Sequence, residues 1–277
     1  MKLSKRLLAV AGMVTPGSVL ADIGTDHAYI PIYLVENRII PHAVAMDVNR
    51  GPLARAGEHI REHGLEDAIE TRLSDGLAGL HAGEAQSLVI AGMGGALTVR
   101  ILREGAQVLL ADTLEAFSDL HRADAMPAPE LILQPQSEVP LVRAHLEQNG
   151  FRIVREDMVF EDGKYYPMMK AVPACGPEIP SSCANTMELN FGPELLKMRH
   201  PVLRQFLLHE RATQERILQS LERSRGNKAN NKTAPGRRAA ADEMTASKNR
   251  TESCCERISE VLSYIRLIDE ALMLYSG

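Results

Sequence analysis

Residues 18–27 read SVLADIGTDH. A short apolar run ends in an acid, and a glycine opens the loop that follows. The run 18–23 has the length and character of a strand buried on both faces. Asp22, Gly24, Thr25, Asp26 and His27 then stand at or just beyond its carboxyl end, where α/β folds bind their ligands. Gly24 permits a tight turn and lets the backbone approach a bound group closely.

The same grammar repeats in both directions from this stretch. Upstream, residues 3–13 space apolar side chains at helical intervals, and Thr15-Pro16-Gly17 ends that helix. Downstream, 31–37 is a helical pattern with Pro31 in its first turn. Further strands are expected at 42–47 (HAVAMD), 69–74, 87–91 (SLVIA), 130–133 (ELIL), 151–158 and 165–171. Helices are expected at 51–63, 97–104 and 139–149, with Gly64 and Gly150 as stops. Strands that alternate with helices over short connections build a parallel, doubly wound sheet. The last two strands, joined at Asp162-Gly163, can close as a hairpin and give an antiparallel edge. Seven strands with such an edge match the class I Rossmann-like methyltransferase plan rather than the dehydrogenase plan.

After residue 172 the pattern changes. Pro, Gly, Ser and Cys cluster over 173–182. One long helical pattern follows over 193–223, with Pro201 expected to kink or break it. Residues 224–250 are poor in apolar side chains and read as a flexible basic linker. A second helix is expected at 255–274. The expected domains are therefore 1–172, a Rossmann-like unit, and 173–277, an α-helical coiled-coil hairpin with the linker at 224–250.

Composition narrows the function classes. The 277 residues carry a net charge of −5, 4% aromatics and no Trp. Global charge does not argue for nucleic-acid binding, so any such contact must come from a local basic patch. The linker supplies one: Arg225, Lys228, Lys232, Arg237, Arg238, Lys248 and Arg250 stand against Asp242 and Glu243. Four cysteines form no CxxC pair, and the nine histidines are read as giving neither HxxxH nor HExxH, so no metal is expected. No stretch reaches the ~20 apolar residues of a membrane span, and the first 13 residues lack a signal peptide's apolar run. A cytoplasmic monomer is the expectation.

The acids at three successive strand ends carry the chemistry. Asp22 and Asp26 would repel a phosphate, but they suit a cationic ligand. S-adenosyl-L-methionine carries an ammonium and a sulfonium. Asp47, 25 residues after Asp22, is placed to chelate two ribose hydroxyls. Asp75-Gly76 ends the third strand, where an acid can accept from an adenine amino group. Gly92-Met93-Gly94-Gly95 follows the fourth strand, in the loop that faces the methyl acceptor. Each feature has a plainer reading: a polar turn at 22–27, a helix cap at Asp47, an Asp-Gly turn, a flexible glycine loop, a structural hydrogen bond at His27.

The runs DIGTDHAYIP, AMDVNRGPLARA, RLSDGL, VIAGMGG, LILQPQ and GKYYPM resemble the bacterial TrmK family, as does the continuation FGPELLKMRHPVL. The resemblance covers about residues 1–223 and the last helix. It implies methyl transfer from S-adenosyl-L-methionine to N1 of the adenine at tRNA position 22. The expected cofactor residues are Asp22, Gly24, Thr25, Asp47, Val48, Asp75, Gly76, Ala91, Gly92 and Met93. Asp26, His27 and Tyr29 are the candidates for catalysis. Gly94, Gly95 and Gln134 are expected to face the acceptor, with Arg225, Arg237 and Arg238 on tRNA. Two stretches, 103–130 and 224–250, look longer than is usual in the family. A methyltransferase acting on another RNA or a small molecule is the alternative, as is a non-catalytic tRNA-binding protein on this fold. The acids at all three strand ends argue against the latter.

Overall fold

The computed structural model describes residues 1–109, 128–174, 185–230 and 242–276, without the side chains of 226–230 and 242–254. The chain divides into two units, residues 1–198 and 199–277. The first holds a seven-stranded sheet. Its strands are β1 (Leu20–Ile23), β2 (Ala43–Asp47), β3 (Ile69–Leu73), β4 (Ser87–Met93), β5 (Glu130–Pro135), β6 (Phe151–Glu161) and β7 (Lys164–Pro173). They lie in the order β3-β2-β1-β4-β5-β7-β6. The first five are parallel, and β7 runs antiparallel to both β5 and β6.

β1 and β2 are buried along their whole length, which is why they read as unbroken apolar runs. Alternate residues serve two cores. Ala21, Ile23, Val44, Met46, Leu88 and Ile90 join the core that includes Ile101, Leu102, Val142 and Leu146. These come from α4 (Gly95–Glu104) and α5 (Val139–Gln148). Leu20, Ala43, Ala45 and Val89 join the opposite core. That core is closed by α1 (Lys5–Ala11), α2 (Tyr29–Glu36) and α3 (Arg50–Glu62). Side chains alternate along a strand, so Asp22 and Asp47 continue the second phase and emerge on the side of α1, α2 and α3.

Two expectations, the domain boundary and the linker extent, differ from the structure. The boundary expected after residue 172 lies instead between Met198 and Arg199. Two short helices, α6 (Thr186–Phe191) and α7 (Pro193–Lys197), belong to the first unit. A buried ion pair holds them. Arg143 Nε donates to Glu156 Oε1 at 2.9 Å, and its Nη1 donates to the carbonyls of Leu189 and Asn190. Glu156 Oε2 accepts from the backbone N–H groups of Glu194 and Leu195. Backbone donors and acceptors at helix ends need partners, and this pair supplies them.

The 193–223 helical pattern breaks, as one of the two outcomes expected at Pro201, over 198–200, where Arg199 takes φ 51°. Pro201 opens the next helix rather than kinking it, because its missing N–H and fixed φ suit a first turn. The expected linker is shorter than 224–250. Helix α8 (Pro201–Asn230) runs into it, and α9 (Asp242–Met273) begins inside it. Arg237 and Arg238 lie outside the described residues. In the second unit α8 and α9 pair antiparallel: Arg211 Nε meets Asp269 at 2.6 Å, and Tyr275 Oη donates to the carbonyl of His200 at 3.2 Å. Among the described residues no helix is long and apolar enough to cross a membrane.

Candidate functional site

The loop after β1 is shaped by its own backbone. The N–H groups of Gly24 and Thr25 both donate to the carbonyl of Met46 at 2.8 Å, which ties the loop to β2. Gly24 sits at φ 77°, a conformation glycine adopts freely. Thr25 is buried, and its Oγ1 accepts from the N–H of Ala28 at 3.1 Å. Ala28 is left-handed at φ 53° and starts α2. The loop thereby turns back on itself and aims residues 26–29 at the sheet end.

A cavity of about 340 Å³ opens there. Its walls include Asp22, Gly24, Thr25, Asp26, His27 and Tyr29 from the first loop and Ala91 and Gly92 from the end of β4. The volume falls in the range of small-molecule sites. Eight of the residues expected to bind or react are thus brought into one enclosure. Asp22 is buried, and desolvation raises its carboxyl to about 6, helped by nearby Asp47 and opposed by a hydrogen bond from Thr25. A buried carboxylate without a cation beside it is poised to accept one.

Asp47 is also buried, at the end of β2, with Oδ1 accepting from the N–H of Asn49 at 2.6 Å. Val48 next to it is exposed. Asp75 is exposed and lies 3.7 Å from Arg100 Nη2. Gly76 takes φ 56°, and a Cβ there would press on Ile101 at 3.2 Å. These four lie outside the cavity wall but at the carboxyl ends of β2 and β3, along the same sheet edge. Met93 folds its methyl group over Gly24.

Three expected acceptor-side residues take other positions. Gly95 starts α4, and a Cβ on it would sit 2.6 Å from the Ser137 carbonyl. Gly94, its N-cap, faces Ser137 Oγ. Close packing against the β5–α5 connection explains both glycines. Gln134 is fully buried, with Oε1 accepting from Arg6 Nη1 at 2.9 Å. Arg225 is exposed on α8 in the second unit.

The acidic loop is held from the side by α3. Arg55 Nη2 donates to Asp26 Oδ1 at 2.6 Å, and this keeps the Asp26 carboxyl below the ordinary carboxylate range. Asp26 Oδ2 meets His27 Nε2 at 3.2 Å. His27 Nδ1 is shielded and has no partner among the described residues. The rings of His27, Tyr29 and His59 are nearly parallel, with centroids 4.9 to 5.5 Å apart.

Four contributors escaped the sequence reading. Arg6 and Gln136 line the cavity, from α1 and from the turn after β5. Arg6 also stands over the Tyr166 ring at 5.5 Å. Arg55 and His59 are one turn apart on α3. Contrary to the reading of the histidines above, His59 and His63 do form an HxxxH, the i,i+4 spacing of paired metal ligands. However, His59 Nδ1 meets the His27 carbonyl at 3.2 Å, and His63 Nδ1 meets Glu36 at 2.5 Å. No cluster able to hold a metal ion occurs among the described residues. The i,i+4 spacing was the one available signal for α3. Arg6 offered none, because its partner Gln134 lies 128 positions away.

A methyltransferase-domain family model matches residues 3–169. The tRNA (adenine(22)-N(1))-methyltransferase of Bacillus subtilis is 33% identical over 226 residues, covering 80% of this chain and 88% of that protein. The crystal structure of the B. subtilis M1A22 tRNA methyltransferase TrmK is similar with a TM-score of 0.74 at 29% identity, over 98% of both chains. A Streptococcus pneumoniae protein solved in complex with S-adenosyl-L-methionine has a TM-score of 0.73 at 30% identity, over 98% of this chain and 100% of that one.

Proposed function

Because this chain belongs to the bacterial tRNA (adenine(22)-N(1))-methyltransferase family, we propose that it methylates N1 of adenine 22 in tRNA, with S-adenosyl-L-methionine as donor. One observation carries the reading. The cavity joins Asp22, Gly24 and Gly92, suited to the donor, with Asp26, His27 and Tyr29, suited to an acceptor base.

The residues present fit the donor. Gly24 presents bare backbone to the cavity wall at φ 77°. Asp22 offers a buried carboxylate for the methionine ammonium, and Arg6 a cation for its carboxylate. Asp47 takes the ribose hydroxyls, and Asp75 the adenine amino group. Bound there, S-adenosyl-L-methionine supplies an electrophilic methyl group, and its sulfur leaves as a neutral thioether.

The chain's own residues do the rest by position and charge. Neutral adenine carries an in-plane lone pair on N1, so no base is needed to create the nucleophile. N1 lies on the pairing edge, so the nucleotide swings out of its stack before it enters. Tyr29, partly exposed, offers a flat face to receive the base. Asp26 orients the pairing edge and offsets the positive charge that N1-methyladenine acquires. The helical pair α8–α9, with Arg225 and the basic stretch beyond it, docks the remaining tRNA by phosphate contacts. The enzyme acts as a cytoplasmic monomer.

The test is direct. Full-length protein is incubated with labelled S-adenosyl-L-methionine and unmodified tRNA, and the product is mapped by mass spectrometry. N1-methyladenine at position 22 supports the reading, and label at another nucleotide or none overturns it. Asp26→Ala should lower methyl transfer far more than donor affinity. An equal fall in both moves Asp26 to the donor site.

A further inference from the structure

Helix α3 reaches across to the acidic loop through two side chains. Arg55 and His59 stand four residues apart on it and so share one face. Arg55 takes one oxygen of Asp26, while His59 takes the carbonyl of the next residue, His27. His59 also lies parallel to both rings of the acceptor side. We propose that Arg55 and His59 are positioning residues that set the rotamer of Asp26 and the plane of His27 and Tyr29 for the acceptor base. The proposal rests on the acceptor role assigned to these three residues above.

The need for such support is physical. The Asp26 side chain is 61% exposed. An exposed carboxylate on a loop samples several rotamers in water unless it is held. His27 lies beside it on the same loop and cannot anchor it to the body of the protein. Arg55 can, because α3 is a rigid helix packed through Ala56 and Ile60 into the core. A guanidinium also presents its donors in a fixed fork, which sets direction as well as charge. The His27 carbonyl only accepts, so His59 Nδ1 carries the proton, and this fixes its ring orientation. The helix begins three residues after Asp47, at the strand end assigned to the ribose. One rigid element thus holds the acceptor loop at a set distance from the donor strand.

The test compares Arg55→Ala, Arg55→Lys, His59→Ala, Asp26→Ala and the double variant Arg55→Ala/Asp26→Ala in full-length protein. Read-outs are kcat on tRNA, KM for tRNA and the donor Kd by calorimetry. Arg55→Ala should lower kcat by about ten- to a hundredfold, the scale of a misplaced catalytic group, with the donor Kd unchanged. Arg55→Lys should recover part of that loss by keeping the charge without the fork. His59→Ala should show a smaller fall of the same kind. The double variant should be no slower than Asp26→Ala alone, because residues that act as a unit are not additive. Additive losses would mean that Arg55 acts elsewhere, and would overturn the proposal. A wild-type kcat in Arg55→Ala beside a slow Asp26→Ala would overturn the proposal alone. A wild-type kcat in Asp26→Ala would remove the acceptor reading and this proposal with it.

Discussion

The methyl group of Met93, at the end of β4, occupies the space in which a Cβ on Gly24, at the end of β1, would have to lie. Two adjacent strands thereby close on each other beside the cavity that Gly24 lines. Gly24→Ala meets both this clash and an unfavourable φ of 77°. The expected result is a loss of donor affinity of at least about tenfold, equivalent to ~1.4 kcal/mol. Met93→Ala in the same chain should relieve the clash but leave the backbone strain, so affinity returns only in part. Calorimetry on the single and double variants measures both effects.

Asp22 is held in a folded environment that disfavours its charge, with a carboxyl raised from 3.8 to about 6. A raised folded value favours stability fully below the unfolded value, and that contribution is lost as pH rises through about 6. At pH 7.5 the ionised carboxylate therefore costs up to about 3 kcal/mol, at ~1.4 kcal/mol per unit. Asp22→Asn should raise the urea midpoint at pH 7.5. The gain should shrink as pH falls below 6 and vanish near pH 4. The same variant should lose donor affinity. A parallel rise in stability and affinity would contradict the assignment of Asp22 to a cation.

Asp47→Ala removes the carboxylate assigned to the ribose while leaving the strand end packed. Hydrogen bonds to a charged group contribute about 1.5–3 kcal/mol. The donor Kd should rise accordingly, with little change in kcat at saturating donor. An unchanged Kd in a folded variant would place the ribose elsewhere.

Arg143 and Glu156 are both buried, and together they satisfy four backbone groups of α6 and α7. Arg143→Met should destabilise the chain by about 3–5 kcal/mol, because it leaves a buried charge uncompensated. Replacing both residues by apolar ones often restores stability in buried pairs. Here it should restore only part, because the freed N–H and carbonyl groups still lose their partners. Urea unfolding of the single and double variants decides the matter.

The strand–helix alternation, the seven strands and the acids at the strand ends were all legible in the linear chain. The reason is local: buried strands must be apolar throughout, and a ligand loop must carry glycine and charge. Asp22, Gly24, Thr25, Asp26, His27, Tyr29, Ala91 and Gly92 line one cavity because they stand at or just beyond the ends of adjacent strands, a placement that local pattern encodes. The exact extent of the first unit was not. Residues 186–197 belong to it because Arg143 and Glu156, on α5 and β6, supply partners for their backbone. Gly94 and Gly95 were expected to face the acceptor, yet the Ser137 side chain packs against Gly94 and the backbone of 137–138 against Gly95. Arg6, Arg55 and His59 reached the site only through folding. Their partners lie 128, 29 and 32 positions away, and no local pattern encodes a contact at such a distance. Periodicity and turn chemistry determined which elements form and which loops gather around one cavity. Which side chains from other elements complete that site was decided by packing in three dimensions.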